Sequence, residues 1–450
     1  MDWISRTAGC AAGALLALGA NGAWAQGFDR GGAAADSDAE QSFALHIQGT
    51  ATLQFHPAFH SPYQGDQSLD PGARGDETTD VTLYAGFKPW RGAEVWINPE
   101  IDQGFGLSGT LGVAGYPSGE AYKVGKRDPY LKLPRLFLRQ TFDLGGKSSK
   151  TDADLNVLGG SHTEDRVVVT VGKFGVPDVF DTNSYAHDPR QDFLNWSIID
   201  TGTFDYAADA WGFTYGAAVE WYRGDWTVRA GLFDLSQVPN STTLDSKFQQ
   251  YQQIGEVERR WDWHGKGKAA VTGFVTHGRM GGYTDAVALS AANGQPADVA
   301  LVRRYGTRSG ISLNAEQSLT ETLGMFVRAG EAGGDVEAYE FADIDRTVEA
   351  GLSQGGKSWG REDDKAAVAL VINDISKVHQ SYLAAGGDGI LIGDGRLPHP
   401  GDEMILETYY SLAAAKGVHV TLDYQFVENP AYNRDRGPVS VFGLRLHAQY

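Results

Sequence analysis

The sequence predicts an all-β fold: a transmembrane antiparallel β-barrel of about sixteen strands, with up-and-down topology and long outer loops. Three observations predict it. Apolar and polar residues alternate with period two in segment after segment, to the last residue. Short turns alternate with long loops rich in Gly, Asp and Pro. Beyond the first 25 residues there is no run of about eighteen apolar residues, so a helical membrane protein is excluded. A mean hydropathy of -0.32 is compatible with a barrel, because its strands present one face to lipid and the other to a wet lumen.

The N-terminus reads as a secretory signal. Arg6 precedes a small-residue apolar run at 8–20, and Ala23-Trp24-Ala25 is an A-x-A cleavage site. Residues 1–25 are therefore expected to be cleaved after Sec-type export, leaving Gln26 first. Cys10, the single cysteine, leaves with them. The mature chain then has no disulfide and no thiol for catalysis, so its stability must come from elsewhere, such as a closed strand ladder. Residues 26–42 are mostly Gly, Ala, Asp and Ser and are expected to be a flexible tail. The barrel is expected over 43–450. A net charge of -19 argues against a nucleic-acid partner.

The first strand is the cleanest. Phe43, Leu45, Ile47, Gly49, Ala51, Leu53 and Phe55 share one face, and His46, Gln48, Thr50, Thr52, Gln54 and His56 share the other. Further strands are predicted at 78–89, 93–103, 131–144, 164–174, 209–222, 226–236, 248–261, 268–278, 308–318, 323–331, 345–354, 365–373, 405–413, 417–427 and 438–450. Arg223-Gly224-Asp225 turns one hairpin, with Trp221 and Trp226 where an interfacial aromatic girdle sits. Other hairpins turn at 319–322 and at Lys416-Gly417. The last strand alternates Phe442, Leu444, Leu446, Ala448 and Tyr450 with polar residues, and it is expected to pair with the first so that no edge remains.

Few motifs carry chemistry. The run from Gly351 to Ser358 matches the phosphate-loop expression, but that mechanism needs a helix directly after the Ser. Here Trp359, Gly360 and a charged turn follow, so no nucleotide site is expected. His46, His56 and His60 are too widely spaced to point to a metal. Neither G-x-S-x-G nor H-E-x-x-H occurs. The expectation is a protein without cofactor or metal that is not an enzyme.

The polar faces carry more. Glu94, Trp96, Asn98 and Glu100 share a face; Arg135 and Arg139 share another; Glu220 opposes Arg229. We take Arg135, Arg139, Glu94, Trp96, Glu100, Glu220 and Arg229 as pore-lining candidates. Aromatic rings stack on the apolar face of a pyranose, and Arg and carboxylates exchange hydrogen bonds with its hydroxyls. A generic aqueous lumen has the same character.

Three blocks resemble a known family. Gly172-Lys173-Phe174, then Asp178-Val179-Phe180-Asp181-Thr182-Asn183-Ser184-Tyr185-Ala186-His187-Asp188 and Phe193-Leu194-Asn195, resemble a segment of the carbohydrate-selective porins of the OprB type. Asn98-Pro99-Glu100 to Gly104 is similar to it, and the run from Asn429 to Val439 before the last strand is similar to its C-terminal signature. The resemblance implies a sixteen-stranded barrel in the bacterial outer membrane, passive sugar-preferring diffusion, and a constriction lined by Arg and Glu. The terminal Tyr450 resembles the signal read by the outer-membrane assembly machinery. Expected partners are small carbohydrates, outer-membrane lipids and that machinery, with a homo-oligomer left open. Two alternatives stand beside a sugar porin: a conduit exporting exopolysaccharide, and a general small-solute or cation porin.

Overall fold

The computed structural model describes residues 40–121, 125–341 and 343–450. The expected signal 1–25, and all of the expected tail but 40–42, lie outside the described residues. Sixteen strands close into one antiparallel barrel. They are β1 (Phe43–His56), β2 (Arg74–Phe87), β3 (Ala93–Gly104), β4 (Lys126–Thr151), β5 (Gly160–Phe174), β6 (Thr214–Arg223), β7 (Trp226–Asp234) and β8 (Tyr251–Asp262), followed by β9 (Lys266–Met280), β10 (Arg304–Ser318), β11 (Leu323–Ala332), β12 (Arg346–Gly355), β13 (Lys365–Asp374), β14 (Glu403–Ala415), β15 (Val418–Glu428) and β16 (Val439–Gln449).

Each strand pairs with its chain neighbours, and β16 returns to β1 in register from Gln48 opposite Gln449 to Phe55 opposite Phe442. The backbone N–H of Tyr450 still donates to the carbonyl of Ile47 at 2.9 Å. Closure leaves no row of unpaired amides facing lipid, which is the condition for a sheet to cross a bilayer.

Every predicted strand is present. Most boundaries move by four residues or fewer, and two strands have a boundary that moves by five or more. β4 runs from 126 to 151 instead of 131 to 144, because its outer parts lie beyond the lipid, where alternation is not required. β6 starts at 214 instead of 209, because Asp209 Oδ1 accepts the N–H groups of Trp211 and Phe213 and turns the chain there. The Gly351–Ser358 run forms the end of β12 and a single 3-10 turn, with no helix after it.

The alternation acts as predicted. On β1, Phe43, Leu45, Leu53 and Phe55 face out and are exposed, while Gln48, Thr50, Thr52, Gln54 and His56 face in and are buried. Short connections (88–92, 152–159, 224–225, 263–265, 319–322, 356–364 and 416–417) lie at the end where β1 begins and β16 ends. In bacterial barrels that end faces the periplasm. Trp90, Trp221, Trp226 and Trp263 stand exposed beside these turns as an interfacial belt.

The long connections lie at the other end, and the longest, 175–213, folds into the lumen. A loop inside a barrel is buried, so its backbone groups need partners. The wall supplies them. Leu194 and Asn195 donate their N–H groups to the Glu407 carboxylate of β14, and Asp181 donates to Glu256 of β8. Phe193 inserts between Phe326 of β11 and Tyr409 of β14, with ring centroids 5.8 and 5.0 Å away. Burying such a ring contributes about 1.5–3 kcal/mol.

Arg328 of β11 is the hub of this docking. It is fully buried, pairs with Glu349 at 2.9 Å and Asp181 at 3.6 Å, and donates to the carbonyls of Ala186 and Ile198 at 2.7 and 2.8 Å. Replacing it by Ala strands Glu349 and Asp181 without their cation. We predict that Arg328→Ala destabilises the folded barrel by about 3–5 kcal/mol, read by heat-modifiable migration through a denaturant series. A loss under about 1 kcal/mol would show that the docked loop does not depend on this pairing.

Candidate functional site

With loop 175–213 laid against the β8–β16 wall, open volume remains against β1–β7. Two cavities occupy it. The outer one, of about 290 Å³, is lined by Gln48, Tyr84, Glu120, Arg135, Asp178 and Arg190, with Trp196, Tyr206 and Phe213 adding aromatic surface. The inner one, of about 1010 Å³, is lined by Glu94, Arg139, Arg166, Glu220, Tyr222 and Arg229 among others. Asp178 borders both.

Pro177 is the second residue of the single turn Val176–Asp178, and Asp178 closes it by accepting the N–H of Gly175 at 3.0 Å. That fixes its carboxylate opposite β4, where Arg135 grips it with two bonds of 2.7 and 2.6 Å. Burial disfavours the charged carboxylate, but the Arg135 cation outweighs this, and the Asp178 pKa lies below the usual range. Arg135 also lies 4.9 Å from the centroid of the Phe213 ring.

A second cation comes from the loop. Arg190 reaches Asp80 of β2 at 3.2 Å, and Glu100 of β3 and Glu120 of loop 105–125 at 3.1 Å each. Lys132 of β4 completes the group, 3.1 Å from Glu100 and 3.2 Å from Asp102. Loop 105–125 is itself pinned, since Ala114 and Gly115 donate to Glu403 of β14. It brings Tyr116 flat against Trp196, at 5.1 Å and 10°.

The seven sequence candidates all point inward but divide among three places. Arg135 lines the outer cavity. Glu94, Arg139, Glu220 and Arg229 line the inner one. Arg139 lies 3.4 Å from Glu94. Arg229 bonds Glu220 at 3.1 Å and continues to Glu256 and Glu258 at 2.5 and 3.0 Å. Glu100 is buried behind Arg190, and Trp96 is fully buried over Gly86, where a Cβ would come within 2.5 Å of the ring. Sequence reasoning missed Arg190, Asp178, Glu120, His187 and Trp196, because loop residues have no period to read. The one available signal was the family resemblance at 178–188 and 193–195, which takes in Asp178 and His187 and flanks Arg190.

Those runs and the fold settle the family. A model of the carbohydrate-selective porin family, OprB type, matches residues 66–450. The chain belongs to that family. It is an integral outer-membrane protein and a porin for carbohydrates, and the family and fold are those of passive channels. The high-pH structure of Pseudomonas putida OprB superposes with a TM-score of 0.69 at 14% identity, covering 91% of this chain and 94% of that one. The low-pH structure of the same protein gives 0.50 at 11% identity, covering 91% and 93%. A comparison with curated protein sequences finds no match.

His187 adds a titratable group to the outer cavity of this porin. Its Nδ1 lies 3.3 Å from Asp200 Oδ1, both on loop 175–213. Burial works against the imidazolium, but the adjacent Asp200 carboxylate outweighs it and raises the His187 pKa above 6.5. A raised histidine stabilises the fold below its unfolded pKa, and that contribution is lost as pH rises through the folded value. We therefore predict an NMR titration midpoint for His187 above 6.5 that falls when Asp200→Asn removes the partner. A midpoint at or below 6.5 would remove this pair from the account of the loop.

Proposed function

We propose that small sugars diffuse passively through this barrel by way of the outer cavity, with Arg135, Arg190, Glu120 and Asp178 as the polar contacts and Trp196 and Tyr206 as the stacking surface. Glu94, Arg139, Glu220 and Arg229 then hydrate and hand on the solute through the inner cavity, while Glu100 and Trp96 act from behind the wall, holding Arg190 and packing β3. No residue is assigned a catalytic role, and the sugar leaves unchanged.

One observation carries this reading. Both cations lining the outer cavity, Arg135 and Arg190, are already engaged by carboxylates. A free anion therefore meets no unpaired positive charge there, and because Arg190 and Lys132 together face four carboxylates, the cluster disfavours anions further. A sugar hydroxyl both donates and accepts, so it bonds to either partner of such a pair without having to separate it. The rings offer the complementary apolar face.

The same proposal takes residues 1–25 as a cleaved export signal and 26–42 as a tail. It takes β16 with Tyr450 as the segment engaged by the outer-membrane assembly machinery.

The experiment is liposome swelling with reconstituted protein, comparing glucose, a disaccharide and an amino acid of similar size. Faster entry of the sugars is expected. Arg135→Ala should cut the sugar preference about fivefold, the equivalent of ~1 kcal/mol of lost hydrogen bonding, while total permeability rises. Equal entry of all three solutes into wild-type liposomes would make this a general porin, and no entry through folded protein would favour the export conduit.

A further inference from the structure

The β4–β5 hairpin is longer than its neighbours require. On one side, the 88–92 turn ends level with Gln140, where Ala93 pairs and Gly92 accepts the N–H of Thr141 at 2.7 Å. On the other, the 224–225 turn ends level with Asp165, whose carboxylate accepts the N–H of Gly224 at 3.0 Å. Beyond these points β4 and β5 continue as a ribbon through 144–165 with no flanking strand. A polar two-stranded ribbon is marginal alone.

This ribbon does not project straight into the periplasm. The pairing shifts register between Asp143 and Gly145, and again between Gly145 and Ser148. Gly145 and Gly146 sit at φ of 124° and 88°, a region that side chains rarely enter. Bulges of this kind bend a strand sharply. The bend brings the 152–159 turn up into the barrel. There Arg139 donates to the carbonyl of Asn156 at 2.7 Å, and Asn98 of β3 donates to its Oδ1 at 2.9 Å. Gln41 and Gly159 exchange two bonds of 2.9 and 2.8 Å. Leu158 is buried in the wall, 5% exposed.

The tip thus arrives at the boundary between the two cavities. Leu155 and Asn156 line the outer one together with Arg135 and Asp178, while Val157 and Leu158 line the inner one. Asn156 spends its carbonyl and its Oδ1 on the wall. Leu155 is half-buried against the apolar cluster and still lines the outer cavity, which makes it the tip's apolar group for the solute. It places an apolar side chain in a ring of paired charges. Passing it strips water from one side of a solute, which costs an ion more than the C–H face of a sugar.

We propose that this hairpin tip, with Leu155 as the solute-facing residue, forms the periplasmic half of the constriction and determines which solutes pass, loop 175–213 forming the outer half. The proposal rests on the pore reading above. The barrel does not need the tip for closure, because β4 and β5 remain paired from Leu136 to Asp143 and from Arg166 to Lys173.

Two variants test it in the reconstituted full barrel. In the first, residues 153–157 are replaced by Gly-Gly. Single-channel conductance should rise at least twofold, and the ratio of disaccharide to glucose entry should move toward one. In the second, Leu155→Cys places the only thiol in the mature chain, and a bulky methanethiosulfonate reagent is applied from the periplasmic side. Labelling, verified by mass, should cut glucose entry about tenfold. The proposal is overturned if the folded, shortened hairpin keeps the wild-type ratio, if labelled Leu155→Cys passes glucose at the unlabelled rate, or if the thiol cannot be reached from the lumen. Should the shortened hairpin fail to fold, the labelled variant decides. Wild-type barrels that pass no sugar would defeat the pore reading itself; selective wild-type barrels with indifferent variants would defeat only the role of the tip.

Discussion

Inside this barrel, carboxylates hold backbone. Filling a lumen with loops buries amides that have no strand partner, and an unpaired buried N–H costs as much as a lost hydrogen bond. A carboxylate suits the task because its two oxygens accept several donors at once and the bonds are charge-assisted. Glu403 accepts the N–H groups of Ala114, Gly115 and Ala431. Glu407 accepts Leu194 and Asn195, Asp205 accepts Tyr339, Glu340 and Phe341, and Asp343 accepts Ile390 and Leu391. Each of these acids is buried, and each ties one outer loop to the wall or to a second loop.

The net charge of -19 is read differently in this light. As a surface property it would describe steering of cations. Much of it is instead an interior property, spent on amides and on the few buried cations. Arg328, Arg308 and Arg190 each answer two or three acids, Arg436 pairs with Asp394 and a main-chain oxygen, and Arg445 donates to the main-chain oxygens of Pro189 and Asp192. The channel interior is thus densely charged and net acidic, with its cations paired, so a neutral, hydroxyl-rich solute finds both donors and acceptors there.

The wall was legible in the sequence and the filling was not, for one physical reason. A strand in a bilayer must satisfy lipid on one side at every second residue, so Phe43 to Phe55 and Phe442 to Tyr450 declare their register without reference to anything else. Arg135, Arg139, Glu94 and Arg229 could be placed inward by counting alone. Loop 175–213 answers to no such period. Asp178, Arg190 and Trp196 are set by what they dock against, and those partners lie on strands distant in the chain. Even for the inward strand residues, parity gives the face and not the depth: nothing in the alternation separates Arg135, open to the outer cavity, from Trp96, sealed over Gly86. The runs 178–188 and 193–195 were found only by their likeness to a family.

The same distinction explains why the constriction is built as it is. The strands cannot narrow the pore themselves, since sixteen of them with filled hydrogen bonds fix a wide cylinder. Narrowing must come from segments released from the lipid pattern. Besides loop 105–125, pinned through Glu403, the chain releases two: a long outer loop, free to carry Phe193 to β11 and β14 and Arg190 to β2 and β3, and an overlong hairpin below, bent by Gly145 and Gly146. Both are fastened at their tips, one by Glu407 and Arg328, the other by Arg139 and Asn98. Arg139 and Asn98 are ordinary inward residues of β4 and β3, placed by the same alternation that builds the wall. The period-two pattern therefore reaches the pore indirectly: it sets the anchors, the anchors set the two tips, and the tips bound the space through which a solute must pass.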